Sequence, residues 1–449
     1  MIYKTYDYSQ KSINDIEEND ICNFKTISNK TIGELCNEKN NNLLIFPESL
    51  NKYGDDIVDN IIFSIDENEL KTNDLLGFIG TNDSQLTISS RFSKEDKEDY
   101  FLHYMLQKIF SINLLNLQHS TSDANVFDFL AYMFPFFLKR ALRQGLYKQY
   151  VRKNNNDANV KGVINISENI KRNIPFNGKI SYNLREYNYN NDITQLIRHT
   201  IEYINESHMR SVLSVDKDTS NYISQIRQVT PTFNKRDQNL ILNRNTKLLS
   251  HPYFTEYRYL QKLCIQILQH KKIKYGTDKN KIYGLIFSAS WIWEEFLYKT
   301  ILKELEFKHP KNKLSEGGIN LFKTESNPPT LERYVRYPDF YKDNIILDAK
   351  YKFLDKNIID RNDMHQIISY MHIENSQIGG FIYPFTEQNN NIIRLGELRG
   401  CGGVIYKIGL AIPQKSDSYS AYCSQMNANI KSLQKDLSAI LKPILLREN

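Results

Sequence analysis

Residues 336–352 read RYPDFY-KDN-IILDAKYK, two short runs that are separated by a polar tripeptide. Such a tripeptide is typical of a turn, so the two runs predict a β-hairpin. Side chains alternate between the two faces of a strand, so Asp348 and Lys350 project together from a segment that is otherwise apolar. Asp339, on the partner strand, is expected to reach the same patch. The hairpin therefore predicts two carboxylates and one amine on one surface.

Two carboxylates that lie close together in apolar surroundings predict a bound cation. A buried carboxylate is costly unless it is paired or bound to a metal, and like charges repel. A divalent ion such as Mg²⁺ removes the repulsion, prefers oxygen ligands and keeps water molecules for hydrolysis. Lys350 would then lie beside a scissile phosphate and stabilise its developing charge. The alternative is a plain Asp–Lys pair on an exposed hairpin, which D-x-K alone does not exclude.

The helix predicted upstream, WIWEEFLYK at 291–299, offers a third acid. Apolar or aromatic residues follow Glu294 at three, four and seven positions, so Glu294 is expected to border the apolar face and point inward. Glu295 precedes Lys299 by four residues, which is the spacing of a surface ion pair. The alternative for Glu294 is a position at the rim of an ordinary core.

The helix predicted downstream, DMHQIISYM at 363–371, places Gln366 and Tyr370 on one face, because they are four residues apart. An amide and a phenol in that position could contact a phosphate or orient Lys350. The alternative is an ordinary helix that is capped by Asp363 and packs its apolar residues in a core.

Composition excludes several classes of protein. The 449 residues are 41% hydrophobic and 24% charged, with a net charge of +6, which is ordinary for a globular protein and compatible with nucleic-acid binding. No run of about 18 uncharged apolar residues predicts a membrane span, and the first residues lack the apolar core of a signal peptide. The five cysteines form no CxxC pair, which argues against a zinc ribbon or a disulfide framework. We expect a cytoplasmic protein.

The chain as a whole predicts a multidomain α+β or α/β protein in three parts. Residues 1–92 read as a β-rich domain with polar turns. Residues 93–250 read as a mainly helical connecting region. Residues 251–449 alternate strands with helices and contain the hairpin, so they are the predicted catalytic domain.

Three elements outside the hairpin are predicted from local pattern. Residues 75–79 and 85–89 predict a hairpin, since a loop with Gly, Asn and Asp separates two strand-like runs. Residues 126–146 predict a helix that Pro135 kinks or breaks. A long helix is predicted from about Leu285 to Phe307.

In combination, these residues resemble the motif series of the PD-(D/E)xK nuclease superfamily, in its RecB-like branch. The series reads E…PD…DxK…QxxxY and comprises Glu294, Asp339, Asp348, Lys350, Gln366 and Tyr370. The segment LDAKYK at 347–352 is similar to the D-A-K-Y-K core of the McrC family, which includes restriction-system subunits of the McrC and LlaJI types. The segments GFIG at 77–80 and LTISSRF at 86–92 look like that family's N-terminal strand pair.

The resemblance implies a C-terminal PD-(D/E)xK core and a Mg²⁺-dependent DNA endonuclease subunit of an antiviral restriction system, with Mn²⁺ as a substitute ion. A separate hexameric AAA+ GTPase or other NTPase would read double-stranded DNA, and the N-terminal domain of this chain would project into that ring and stimulate nucleotide hydrolysis. The sequence contains no G-x-x-x-x-G-K-[S/T] loop of its own. Dimerisation of nuclease domains or of whole complexes is a further implied contact.

The resemblance also implies a role for each residue. Asp339, Asp348 and the main-chain carbonyl of Ala349 would bind the metal, with Glu294 as a direct or water-mediated ligand. Lys350 would be the catalytic lysine. Gln366 and Tyr370 would support the phosphate side of the site.

Three other functions are compatible with parts of the sequence. A stand-alone RecB-like exonuclease would cut DNA ends without a partner, although it would not need the 250 residues that precede the catalytic part. A nuclease-fold scaffold would have lost turnover, although the acids and the lysine are all present. An RNA-binding module would need an exposed aromatic signature, whereas the aromatic residues here fall mostly at predicted core positions.

Overall fold

The structure is a computed structural model, and it divides the chain into two compact units. One unit comprises residues 1–118 with 276–449, and the other comprises 119–275. The residues that the structure describes are 2–14, 16–37, 41–46, 58–66, 68–81, 84–93, 99–110, 122–274, 282–310, 316–322, 334–355, 358–400 and 402–445.

The chain forms a mixed α/β fold with several sheets. The strands are β1 Ile2–Tyr6, β2 Gln10–Ser12, β3 Asn41–Phe46, β4 Phe63–Asp66, β5 Glu69–Thr72, β6 Leu75–Thr81, β7 Ser84–Ser89, β8 Gln149–Asp157, β9 Val163–Ile164, β10 Ile180–Asn188, β11 Ile282–Ser288, β12 Ile319–Asn320, β13 Val335–Arg336, β14 Phe340–Lys342, β15 Ile345–Ala349, β16 Ile378–Phe385, β17 Asn391–Glu397 and β18 Val404–Ala411. The helices are α1 Glu18–Lys25, α2 Ile32–Asn37, α3 Tyr100–Phe110, α4 Ser122–Arg143, α5 Ile166–Arg172, α6 Asp192–Asn205, α7 Lys217–Val229, α8 Gln238–Arg244, α9 Glu256–Lys274, α10 Ala289–Leu297, α11 Arg361–Ile373 and α12 Tyr419–Leu445.

The first unit contains a five-stranded sheet in the order β1-β7-β6-β11-β3. The predicted hairpin of 75–79 and 85–89 is confirmed, since β6 and β7 pair antiparallel. Strand β1 pairs parallel with β7, and β11 lies between β6 and β3. Gly77 has a φ of +121°, and a Cβ there would overlap the carbonyl oxygen of Leu285 on β11. Only glycine allows the two strands to approach so closely.

The helix predicted from Leu285 is wrong at its start, because residues 282–288 form β11. A short apolar run that is rich in β-branched and aromatic residues is compatible with a buried strand as well as with a helix. Here two neighbouring strands satisfy its main chain on both sides. The helix begins at Ala289, where the side-chain oxygen of Ser288 accepts a hydrogen bond from the main-chain N–H of Trp291.

A second five-stranded sheet in the same unit has the order β14-β15-β16-β18-β17. The predicted hairpin around 336–352 is confirmed: β14 and β15 pair antiparallel. Strands β15, β16 and β18 are parallel to one another, whereas β17 runs antiparallel to β18. Helix α11 connects β15 to β16 and packs against both. The hydrophobic core beneath it includes Ile346, Ile367 and Phe381, so α11 is held over the strand that carries Asp348.

The second unit combines helices with a small sheet. Helix α4 packs on α7 and α9, and α6 packs on α9. Helix α4 is one continuous helix through Pro135, so the predicted break does not occur there. Strands β8 and β10 form an antiparallel pair, with β9 on the other side of β10.

The two compact units do not follow the three predicted domains, whose boundaries fall at 92/93 and 250/251. Strand β11, from the predicted catalytic domain 251–449, is part of the sheet built by the first ninety residues. The N-terminal and C-terminal parts are therefore one compact unit, since hydrogen bonds along β11 join them. The assignment of separate functions to 1–92, 93–250 and 251–449 stays a prediction. In the described parts of the chain, no helix combines the length and the apolarity that crossing a bilayer requires.

Candidate active site

One edge of the second sheet brings together most of the predicted site residues. Asp339 immediately precedes β14, Asp348 lies in β15, and Lys350 directly follows β15. Gln366 and Tyr370 lie on α11. Antiparallel pairing of Phe340 with Leu347 places the two aspartates on neighbouring strands.

Asp348 is a buried carboxylate with incomplete compensation. Its side chain is 2% exposed, and its Oδ2 lies 2.8 Å from Lys350 Nζ. Its Oδ1 is buried and has no hydrogen-bond partner among the residues that the structure describes. Burial raises the pKa of Asp348 to about 7, with a further rise from the charge of Asp339 and an opposing effect from Lys350. A carboxylate of this kind is stabilised by a second positive charge.

Asp339 lies next to the same strand. Its Oδ2 accepts a hydrogen bond of 2.7 Å from the main-chain N–H of Ala349, the residue between Asp348 and Lys350. Burial raises the pKa of Asp339, although the charge of Lys350 partly offsets the rise. The two aspartates therefore share one charged neighbourhood and do not lie on opposite sides of the sheet.

The amine of Lys350 contacts Asp348, Asp363 and Gln366. Desolvation alone would lower the pKa of its amine, yet the charges of Asp348 and Asp339 raise the pKa well above its usual range. Its Nζ donates to Gln366 Oε1 at 3.1 Å, and Gln366 Nε2 donates to the Tyr370 hydroxyl oxygen at 3.2 Å. The structure thus links the predicted lysine, amide and phenol in one chain of hydrogen bonds.

Asp363 belongs to this network, whereas the alternative considered for this helix places it at the N-terminal cap. The cap of α11 is Asp360, whose side chain accepts from the N–H of Asn362 at 2.7 Å. Asp363 instead lies 3.2 Å from Lys350 Nζ and 2.7 Å from Lys352 Nζ. Burial alone would raise the pKa of Asp363, but the hydrogen bond from Lys352 and the charge of Lys350 lower it. Its position three residues before Gln366, on the same helix face, was the signal that could have identified it.

Glu295 on the upstream helix α10 and His309, which follows that helix, connect to the main chain at Asp339. Glu294 is half-buried on α10. Its neighbour Glu295, expected on the surface, is 17% exposed and has its Oε1 3.5 Å from His309 Nε2. The other nitrogen of His309 lies 2.8 Å from the carbonyl oxygen of Asp339, and its ring packs tilted against that of Phe340 with 5.0 Å between centroids. Glu295 and His309 therefore support the main chain at Asp339.

The donor set fits a hard divalent cation with few protein ligands. Asp348 and Asp339 offer carboxylate oxygens, which Mg²⁺ prefers, and one of these oxygens is buried without a partner in the described structure. No group of three or more His, Cys, Asp or Glu side chains in the described ranges is arranged to hold a metal ion. Mg²⁺ usually binds through one or two carboxylates and keeps several waters, so two aspartates suffice. Glu294 and the Ala349 carbonyl as further ligands stay predictions.

Comparison with known families supports the resemblance seen in the motifs. Residues 70–384 match the model of the McrBC 5-methylcytosine restriction system component family. The chain belongs to that family. The matched range contains the aspartates, Lys350 and the polar face of α11, and it also contains strands β6, β7 and β11 of the first sheet. The match therefore spans parts of both compact units as well as the candidate active site.

A solved structure shows the same fold at low sequence identity. This McrBC-family chain is similar to a chain in a refined half-complex from a tetradecameric assembly of Thermococcus gammatolerans McrB AAA+ hexamers with bound McrC. The TM-score is 0.50 at 15% identity, with 96% of this chain and 100% of that chain covered. A second match, in the cryo-EM structure of the Thermococcus gammatolerans McrBC complex, has a TM-score of 0.36 at 14% identity over 68% of this chain and 88% of that one. No curated protein matches the chain significantly.

Proposed function

We propose that this chain is the Mg²⁺-dependent DNA endonuclease subunit of a McrBC-like restriction system that acts against phage in the cytoplasm, with Mn²⁺ as a substitute ion. The observation that carries the proposal is the pair Asp339 and Asp348, one bonded to the amide of Ala349 at 2.7 Å and the other paired with Lys350 at 2.8 Å. In a PD-(D/E)xK core, the two acidic positions bind the metal, and the lysine lies two residues after the second of them. The substrate is a phosphodiester of double-stranded DNA.

The side chains around Lys350 have different roles in the proposed hydrolysis. Asp339 and Asp348, with the Ala349 carbonyl and Glu294, would hold Mg²⁺, which when bound polarises a phosphate oxygen and lowers the pKa of a bound water. Lys350 keeps its proton in this site, because its pKa is raised, so it acts as a fixed positive charge toward the transition state. Gln366 Oε1 accepts a hydrogen bond of 3.1 Å from the amine of Lys350.

The open side of the site is the face of α11. Gln366 is exposed, whereas Asp348 is buried beneath it. A phosphate that approaches over α11 meets Lys350 and Gln366 first and reaches the carboxylates afterwards. Tyr370 holds the amide of Gln366 at 3.2 Å, so it orients the group that faces the phosphate.

The partner in this proposal is a separate AAA+ GTPase or other NTPase hexamer, with residues 1–92 as its docking domain. Two observations support a partner. The chain belongs to a family of restriction-system components, and its sequence contains no phosphate-binding G-x-x-x-x-G-K-[S/T] loop. Pairing of two nuclease domains, or of whole complexes, would then place one site on each DNA strand.

The test is DNA cleavage by the purified chain together with an AAA+ NTPase encoded beside its gene. Wild type should cut circular DNA only with Mg²⁺, nucleotide and the partner, and Asp348→Ala should lose cutting while it keeps partner binding. Glu206→Ala is the control, because Glu206 is 52% exposed, pairs with Lys235 on the surface and lies outside the proposed docking domain.

Two outcomes would contradict the proposal. Cleavage by Asp348→Ala at the wild-type rate would exclude the site. Efficient degradation of linear DNA by the isolated chain, without any NTPase, would identify a stand-alone exonuclease.

A further inference from the structure

Tyr351, the residue after Lys350, is held by a segment more than two hundred residues earlier in the chain. Its hydroxyl oxygen lies 2.6 Å from Ser90 Oγ, just beyond the end of β7. Its ring packs edge-on against Phe92 at 4.9 Å between centroids. Tyr351 is 3% exposed, so this contact lies inside the first compact unit.

Arg91, between those two residues, binds the main chain of Tyr351. Its guanidinium donates a hydrogen bond to the Tyr351 carbonyl oxygen and lies 4.9 Å from the centre of the Tyr351 ring. Arg91 thus contacts the main chain and the side chain of one residue. A guanidinium suits this task because it presents several donors in a rigid plane that also stacks on aromatic rings.

Asp7 fixes Arg91 in turn. Arg91 Nη1 lies 2.9 Å from Asp7 Oδ2, with the two side chains 8% and 0% exposed. The main-chain N–H of Arg91 donates to Asp7 Oδ1 at 2.6 Å. Breaking such a buried pair is costly, because one charge is left uncompensated. The fold therefore keeps a buried ion pair between Asp7 and Arg91. A remaining N–H donor of Arg91 binds the main-chain carbonyl of Tyr351.

The contact between Arg91 and Tyr351 lies just beyond the end of β15, where the hydrogen bonds of the second sheet stop. β15 ends at Ala349, and the last ladder bond beyond it runs from the Lys350 N–H to the Ile382 carbonyl at 2.8 Å. Lys350 contacts Asp348 and Lys352 contacts Asp363. Tyr351, which lies between the two lysines, contacts Ser90 and Arg91 instead. Fixing Tyr351 at its ring and its carbonyl therefore sets the direction of both lysines.

We propose that Arg91, held by Asp7, is a positioning residue for Lys350, and that the N-terminal segment is in this way a structural part of the nuclease centre. The proposal rests on the proposed function for its catalytic consequence. Arg91 does not contact the reacting groups, because it acts through Tyr351. An N-terminal movement at Asp7 would be transmitted to Lys350 along this path.

The test compares Arg91→Lys with the control Arg394→Lys in the full chain. Lysine keeps the positive charge but loses the rigid fork. Arg394 is 54% exposed on β17, so its replacement should change nothing. The first readout is hydrogen exchange of the main-chain amides of 350–354, which needs no activity. We expect exchange at least about tenfold faster in Arg91→Lys, with β16 unchanged, because local opening becomes easier.

The second readout is cleavage in the presence of the partner NTPase. Arg91→Lys should lower kcat about tenfold or more while KM for DNA stays within about twofold, because misplaced catalytic groups affect the transition state rather than binding. Unchanged exchange at 350–354, or a loss that appears only in KM, would overturn the proposal. If wild type does not cleave DNA, the proposed function fails, and the exchange result still decides the positioning role.

A second variant covers the case in which Arg91→Lys does not fold. Tyr351→Phe keeps the ring and loses only the hydroxyl that contacts Ser90. Its exchange at 350–354 should rise about threefold, as expected from the loss of one buried hydrogen bond. Wild-type exchange in Tyr351→Phe would then refute the proposal.

Discussion

Replacing Asp348 by asparagine should change how the stability of the protein depends on pH. Burial raises the pKa of Asp348 from 3.8 to about 7 in the folded protein. A carboxyl with a raised folded pKa binds its proton more tightly when folded, so the free energy of unfolding falls as pH rises from the unfolded pKa to the folded one. Asparagine cannot ionise, so Asp348→Asn lacks this loss.

The magnitude follows from the size of the shift. Between pH 5 and pH 8, wild type should lose about 3 kcal/mol of unfolding free energy relative to Asp348→Asn, because about two units of the pKa shift lie in that range. At about 2 °C per kcal/mol for a large domain, the melting temperature of Asp348→Asn should gain ~6 °C on wild type over that range. Mg²⁺ should raise the melting temperature of wild type at pH 8 and leave Asp348→Asn unaffected, since a bound cation stabilises the ionised carboxylate.

The assay is thermal unfolding at several pH values, first with EDTA and then with Mg²⁺. Asp66→Asn is the control, because an exposed carboxylate that pairs on the surface contributes little. Parallel pH profiles for wild type and Asp348→Asn would refute the reasoning, because they would mean that Asp348 has an ordinary pKa in the fold.

Two further substitutions test the polar network around Lys350 and the packing of β6 on β11. Asp363→Asn removes the carboxylate that holds the amines of Lys350 and Lys352, so cleavage should fall about tenfold. A wild-type rate in the DNA-cleavage assay would show that the carboxylate is dispensable. Gly77→Ala places a Cβ against the carbonyl of Leu285 at a φ of +121°, so unfolding in urea should show a loss of about 2–4 kcal/mol; an unchanged midpoint would mean that β6 and β11 do not approach as described.

The hairpin of the candidate site was predictable because its information is local. Alternation along one strand places Asp348 and Lys350 on one face, and a polar turn brings Asp339 back beside them. The spacing of Gln366 and Tyr370 on one helix face was equally local. The structure joins these five residues as the sequence predicted.

The remaining features depend on contacts that no local pattern contains. The sequence predicts a helix from about Leu285, which lies inside strand β11, because a short buried apolar run has no periodicity that separates a strand from a helix. The contact of Arg91 with Tyr351 spans 260 positions along the chain. The path from Glu295 through His309 to Asp339 also depends on the tertiary fold, and the spacing of Glu295 to Lys299 pointed to the surface instead.

Anomalous diffraction from crystals soaked in Mn²⁺ tests directly whether Asp339 and Asp348 share one divalent cation. We expect a single strong peak within coordination distance of a carboxylate oxygen from each of the two aspartates, and its loss in Asp348→Asn. A peak bound by only one of them, or no peak in this part of the sheet, would mean that the two aspartates do not form a metal site.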